Sequence, residues 1–237
     1  MMATPHPTGA VSSLDDPPVL GPAAGAFADR RDAGRRLAAL LERFRAERPV
    51  VVGMPRGGVP VAAEVAKALG APLDVALVRK IGAPRNPEFA IGAAAEGGVN
   101  FIDQRTARAL GLTEQDVKAL LDRAERELAA QTVRYRGSRQ PAALSGRTAI
   151  LVDDGLATGR SALAAIRSLR ERGAASVILA VPVAAPQSVQ ALQGETDGIV
   201  CVETPPDLWA VGVWYEDFQP TSDEEVAALL AEAHARQ

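Results

Sequence analysis

Asp153 and Asp154 stand side by side at the end of the apolar run Ala149-Ile150-Leu151-Val152. They are followed by the small-residue stretch Gly155-Leu156-Ala157-Thr158-Gly159-Arg160-Ser161. Ionised carboxylates only accept hydrogen bonds, so an adjacent pair suits vicinal hydroxyls and can hold a hard cation such as Mg²⁺, directly or through water. A glycine-containing turn that opens a helix presents successive backbone N–H groups to an anion. The two halves together describe a pocket for a metal-bound sugar phosphate. The same residues also fit an ordinary strand-to-helix turn, with Asp154 and Thr158 as caps.

Placing this constellation requires strands that end where helices begin, and the hydrophobic pattern supplies them. Residues 1–26 are rich in Pro, Gly, Ala and Ser without periodicity and read as a disordered leader, leaving 27–237 as the folded domain. Leu37, Leu40, Leu41 and Phe44 recur at helical spacing until Pro49. Val50 to Met54 is a short buried strand, and Pro55-Arg56-Gly57-Gly58 turns into a helix reaching about Leu69. Leu73 to Val78 reads as the next strand, then a loop with Gly82, Pro84 and Pro87. Phe89–Ala95 and Val99–Ile102, split by Glu96-Gly97-Gly98, read as a hairpin. Thr113 with Asp116 opens the longest helix, with Val117, Leu120, Leu121, Ala124 and Leu128 on one face. After the acidic strand and its helix come strands at Val177–Val181 and Gly198–Val202 with a short helix between them, and Ser222 with Glu225 opens a final helix. Strands alternating with helices predict an α/β fold with a parallel sheet and ligands outside the carboxyl ends of its strands. Gly58 and Asp153 both fall at such ends.

The stretch from Ala149 to Ser161 resembles the 5-phosphoribosyl-1-pyrophosphate (PRPP) motif of type I phosphoribosyltransferases: apolar residues, two acids, a spacer, then Thr-Gly-x-Ser/Thr. A receiver-domain pocket also opens with Val-Asp-Asp, but on the first strand of its domain, and here the acids lie past the middle of the chain. The resemblance implies a central, mainly parallel sheet flanked by helices, a helical and hairpin insertion, and a C-terminal hood. It implies that Asp153 and Asp154 take the ribose hydroxyls and the metal, through water or substrate, and that Gly155, Ala157, Thr158, Gly159, Arg160 and Ser161 hold the 5-phosphate. Met54-Pro55-Arg56-Gly57-Gly58 resembles the same family's pyrophosphate loop, which in relatives often carries a cis non-proline peptide. Glycine there admits positive φ and close backbone approach, while Arg56 supplies charge and a fork of donors. A Rossmann turn is the competing reading, but the spacing is not G-x-G-x-x-G and no acid ends the following strand.

Arg79, Lys80 and Arg85 follow the second core strand, where the family places cations facing pyrophosphate or the lid; solvated surface charge is the alternative. Lys80 is favoured because it closely follows the apolar run. Arg134-Tyr135-Arg136-Gly137 falls where the family has its mobile catalytic loop, and a plain basic loop beside a helix end is the other reading. Pro206-Asp207-Leu208-Trp209-Ala210-Val211-Gly212 resembles the hood of hypoxanthine-guanine phosphoribosyltransferases, with Trp209 at the base-stacking position and Trp214, Tyr215 and Phe218 as packing residues. The purine-reading lysine of those enzymes has no counterpart in Val181-Pro182-Val183-Ala184-Ala185, and Ala157 replaces their loop carboxylate. From Phe27-Ala28-Asp29-Arg30 through Asn86-Pro87-Glu88-Phe89 to Val213-Trp214-Tyr215, the chain is similar to a bacterial group of phosphoribosyltransferases assigned from sequence.

Composition narrows the chemistry further. The net charge of −3 gives no reason to expect sequence-independent nucleic-acid binding. No apolar run reaches membrane-spanning length and no basic-then-apolar leader opens the sequence, so the cytoplasm is the expected location. Cys201 is the only cysteine, which excludes an intrachain disulfide and a thiolate zinc cluster. His6 and His234 lie near the ends, leaving carboxylates, arginines, backbone amides and a bound metal for any reaction. The resulting expectation is a transferase that binds Mg²⁺-PRPP and passes its phosphoribosyl group to an unidentified nitrogenous acceptor; a homodimer is compatible with it. The rival is a non-catalytic PRPP- or nucleotide-sensing module.

Overall fold

The computed structural model describes residues 27–236 apart from 85 and 97. The leader expected over residues 1–26, and Arg85, lie outside the described residues. Helix α1 (Arg30–Leu41) starts on the Asp29 side chain, which accepts from the Asp32 N–H, and buries Leu37, Ala38 and Leu41. Strand β1 (Val50–Gly53) is buried on both faces, as its unbroken valine run demands of an interior parallel strand. Helix α2 (Gly58–Leu69) follows, and then the edge strand β2 (Leu73–Val75). The remaining core elements are β6 (Thr148–Val152), α5 (Arg160–Glu171), β7 (Ser176–Val183), α6 (Pro186–Leu192), β8 (Gly198–Glu203) and α7 (Asp223–Ala235).

The five core strands lie in the order β2-β1-β6-β7-β8, and every pairing is parallel. One apolar layer joins the sheet to α1, α2 and α7 through residues such as Leu37, Val61, Ile150 and Val226. A second joins its other face to α5 and α6 through Leu151, Ile166, Leu179 and Val189. Alternate side chains of β6 enter opposite layers, so the strand is clamped from both sides and the acids that follow it are delivered to a fixed place.

Between β2 and β6 lies the insertion. Strands β3 (Val78–Ala83), β4 (Asn86–Ala95) and β5 (Val99–Ile102) form an antiparallel sheet, followed by α3 (Gln104–Ala109) and α4 (Glu114–Arg136). Ile81, Ala83, Ile91, Ala94 and Ala124 make its small core. Two expectations are corrected here. The single strand read over Leu73 to Val78 is two: β2 ends at Val75 beside β1, and β3 begins at Val78 in the other sheet. The loop read around Gly82 is largely strand, because β3 runs to Ala83 and β4 starts at Asn86; only the turn holding Pro84 separates them.

Helix α4 is the longest among the described residues and starts after Thr113, as its sequence predicts, with Thr113 and Asp116 forming a capping box. At the capping-box pattern read at Ser222, the serine side chain accepts from Glu225 N–H. Helix α4 continues through Arg134, Tyr135 and Arg136, so the mobile loop read there is the last helical turn. Tyr135 is 1% exposed and its hydroxyl donates to Asp223 Oδ1 at 2.6 Å, while Arg136 is buried among carboxylates. Partners on β2, the insertion and α7 hold that turn helical. None of the described helices is long and apolar enough to cross a membrane.

Candidate active site

Asp153 and Asp154 leave the carboxyl end of β6 beside the turn after β1. Met54 N–H donates to the Val152 carbonyl at 2.8 Å, bringing that turn alongside the acids. A Cβ on Gly58 would fall 2.7 Å from the Val152 carbonyl oxygen and 2.8 Å from Asp153 Cα. One on Gly57 would fall 1.9 Å from Asp154 Oδ2. The glycines are therefore required by the close approach of the two acids, and the positive φ that glycine also permits is not used at Gly57, whose φ is −63°. The Pro55-Arg56 peptide is cis, and Arg56 is exposed.

The loop after the acids is anchored at Leu156 and at the Ala157 carbonyl. Leu156 N–H donates to the Val183 carbonyl at 2.8 Å and its own carbonyl accepts from Ala185 N–H at 2.9 Å. Ser188 Oγ donates to the Ala157 carbonyl at 2.5 Å. Gly159, with φ of +70°, is the N-cap of α5, and no side chain caps that end. The capping alternative is thus not realised. Ala157, Thr158, Arg160 and Ser161 are exposed, so the uncapped first turn of α5 faces outward with the geometry that favours an anion.

Arg30, which the sequence offers only as the end of the Phe27-Ala28-Asp29-Arg30 stretch and with no site role, pairs with Asp154. Its Nε donates to Asp154 Oδ2 at 2.8 Å, Nη1 donates to the Gln219 carbonyl at 2.7 Å, and its guanidinium carbon lies 3.9 Å from the Phe218 ring centroid. The Tyr215 hydroxyl donates to the Asp154 carbonyl at 2.5 Å. Asp153 Oδ1 accepts from Asp154 N–H at 2.9 Å. Burial, and next the charge of Asp154, push the Asp153 carboxyl well above the usual carboxylate range; the Asp154 N–H and Arg30 oppose this. Burial likewise raises the Tyr215 phenol, with the Asp154 charge adding to it, so Tyr215 stays a neutral donor.

The hood lies over this edge of the sheet. A Cβ on Gly155 would fall 2.4 Å from Val211 Cγ1, so the hood reaches the acid loop because that residue is glycine. Tyr215 packs between Phe27 and Phe218, with ring centroids 5.3 and 4.9 Å away. Trp209 is 87% exposed and is no part of the core. Lys80 is an exposed residue of β3, and it shares with Ser161 the lining of a 510 Å³ cavity between β3 and α4. The fold thus gathers Asp153, Asp154, Gly57, Gly58 and Gly155 at one point and sets Lys80 in the cavity that also reaches Ser161 at the start of α5.

A parallel α/β sheet with paired acids and an open helix N-terminus at its carboxyl edge defines the class. The phosphoribosyl transferase domain model matches residues 26–217, and the chain belongs to that transferase family. Two Mycobacterium tuberculosis proteins bearing the provisional name phosphoribosyl transferase are 46% identical over 208 residues, covering 88% of this chain and 47% of theirs. The chain therefore spans about half the length of those relatives. The crystal structure of TT1426 from Thermus thermophilus is 45% identical with a TM-score of 0.77, covering 87% of this chain and 98% of that one. A shorter likeness, 43% over 76 residues, joins 32% of this chain to 35% of a Streptomyces griseus uracil phosphoribosyltransferase.

Proposed function

We propose that the protein transfers the 5-phosphoribosyl group of Mg²⁺-PRPP to a nitrogenous acceptor and releases pyrophosphate. The observation that carries the reading is the interlocking of Asp153 and Asp154 with the Gly57-Gly58 turn, immediately before the uncapped N-terminus of α5. In this reading Asp153 and Asp154 hold the ribose hydroxyls, and the loop from Gly155 through Ala157 to Ser161 holds the 5-phosphate. The Gly57 amide, Arg56 and Lys80 receive the pyrophosphate, while Gly58, whose N–H is given to the Met54 carbonyl at 2.9 Å, contributes the close approach of the turn to the acids. The acceptor nitrogen bonds to C1 as the C1–O bond breaks, and the bonding pair leaves on pyrophosphate. Fixed cations and amides aimed at the departing charge would supply most of the rate.

The donor set suits Mg²⁺. Two carboxylates are available, and the described residues contain no cluster of three metal-ligating side chains, which matches a cation that keeps its waters and arrives with substrate phosphates. Its contribution when bound is neutralisation of charge on the leaving group. Trp209 supports an aromatic acceptor, since its exposed ring is free to stack on a base. The alternative, a PRPP- or nucleotide-sensing module, is favoured by one feature: the buried stretch Val181-Pro182-Val183-Ala184-Ala185 holds no counterpart of the lysine with which hypoxanthine-guanine phosphoribosyltransferases read the purine.

The test is a screen of purified protein with Mg²⁺-PRPP against nucleobases, uracil included, and small nitrogen nucleophiles, following pyrophosphate release. Release with one acceptor class establishes transfer. PRPP binding without release from any acceptor would favour the sensing module, and absence of PRPP binding would overturn both.

A further inference from the structure

We propose that Arg30 is a positioning residue of the ribose site, holding Asp154 in the orientation that accepts a sugar hydroxyl. The inference rests on the phosphoribosyl reading above and adds a residue outside both recognised loops. Arg30 and Asp154 are 12% and 18% exposed at the side chain and meet at 2.8 Å through Nε and Oδ2. That bond occupies Oδ2, and the same carboxylate also meets the side chain of Asp153, so Arg30 supplies the pair with a cationic partner.

Arg30 is itself held on two further sides, by the Gln219 carbonyl and by the face of Phe218. A planar guanidinium engaged in this way is pre-organised, and an ammonium in its place has no equivalent fork. Its main chain is fixed as well. Phe27 N–H donates to the Trp214 carbonyl at 2.7 Å, and the Phe27 and Ala28 carbonyls accept from Glu216 and Asp217 N–H at 2.8 and 2.9 Å. The turn into α1 and the hood thus form one strap over the acid. Gly57 supplies the independent sign that this pair is a built feature: its missing Cβ would fall 1.9 Å from Asp154 Oδ2 and 3.0 Å from Arg30 Nε. A diol is read by oxygens at fixed spacing, so a carboxylate free to rotate must be ordered on binding, at a cost in affinity.

The test is calorimetric titration of wild type, Arg30→Gln and Arg30→Lys with Mg²⁺-PRPP and, separately, with magnesium pyrophosphate, which lacks the ribose. Arg30→Gln is expected to weaken PRPP binding roughly tenfold or more, the size of one charge-assisted hydrogen bond, with pyrophosphate affinity unchanged. Arg30→Lys keeps the charge but lacks the second arm, and its PRPP affinity is expected between the two. Unchanged PRPP affinity in Arg30→Gln, or equal losses for both ligands, would overturn the inference while leaving the phosphoribosyl reading intact. Wild type that fails to bind PRPP overturns both. Should the glutamine variant not fold, the lysine variant decides alone, an unchanged ratio of PRPP to pyrophosphate affinity overturning the inference.

Discussion

Two arginine–aspartate clusters border the parallel sheet, one on its edge strand β2 and one past the end of β6, and they differ in how many protein donors each aspartate takes. At the seam between the core and the insertion, Asp74 Oδ1 accepts from Val75 N–H at 2.8 Å and from Arg136 Nε at 2.9 Å. Its Oδ2 accepts from Ala142 N–H at 3.0 Å and Arg172 Nη2 at 3.2 Å. Arg136, 4% exposed at the side chain, also pairs with Glu96 and donates to the Val75 carbonyl. At the carboxyl edge, Asp154 has one oxygen on Arg30, and Asp153 takes the neighbouring N–H. At the seam both oxygens of Asp74 are engaged by the protein, although Glu96 Oε2 is buried without a hydrogen bond from the described residues, and the cluster joins β2, the turn after β4 and the ends of α4 and α5. Among the described residues, the two acids at the edge carry fewer protein donors than Asp74 does, with Arg30 the cation bonded to Asp154.

The largest expected effect breaks the edge cluster. The double variant Asp153→Asn, Asp154→Asn is expected to remain folded and lose Mg²⁺-PRPP binding, each acid contributing charge-assisted hydrogen bonds worth roughly 1.5–3 kcal/mol. Calorimetry showing wild-type PRPP affinity in that variant would refute the ribose assignment.

Breaking the seam should act on stability instead. Arg136→Ala leaves Asp74 and Glu96 buried without their main counter-charge, and removing one partner of a buried pair costs about 3–5 kcal/mol. Denaturant unfolding is the measurement; a loss below about 1 kcal/mol would mean that the seam is not the clamp its geometry suggests.

A smaller effect separates the acceptor side from both clusters. Trp209→Ala is expected to remove roughly 1–3 kcal/mol of acceptor binding if a base stacks on the ring. With 87% of the residue exposed, its stability should change by less than about 0.5 kcal/mol. A large fall in melting temperature, with proportionate loss of every ligand, would place Trp209 in the fold and outside the acceptor site.

The subtlest contrast is one of sign. Burial and the Asp154 charge raise the Asp153 carboxyl in the folded protein, so its contribution to stability is fully present below its unfolded-state value and is lost as pH rises through the folded one. At neutral pH without ligand, Asp153→Asn should therefore melt above wild type, and the gap should close as pH falls. A variant that melts below wild type at neutral pH would show that the acid stabilises the empty site.

Much of the frame was legible because its signals are local. The run from Ala149 to Val152 ends in two acids and a glycine turn, so the strand, the charge and the helix start are written within a few residues of one another. Thr113 and Asp116 lie three residues apart, and the helix they open starts where the pattern put it. The same local reading failed where partners are distant. Leu73 to Val78 is apolar apart from Asp74 and carries no breaker, yet Leu73–Val75 pairs with β1 while Val78 opens the pairing with β4. Arg134 to Arg136 looks like a basic loop, and became helix because Asp223, Asp74 and Glu96 meet it from elsewhere in the chain.

By itself, then, the sequence determined the α/β order, the strand end that carries Asp153 and Asp154, and the open helix start beyond them, since each follows from hydrophobic period and side-chain chemistry over short spans. Tertiary structure alone decided that Arg30, 124 positions before Asp154, would be its ion-pair partner, and that Gly57 would make room for them. Hydrophobic period says which face a residue turns inward; it says nothing of which distant charge will be waiting there, because that depends on how the sheet orders its strands and where the hood returns over α1.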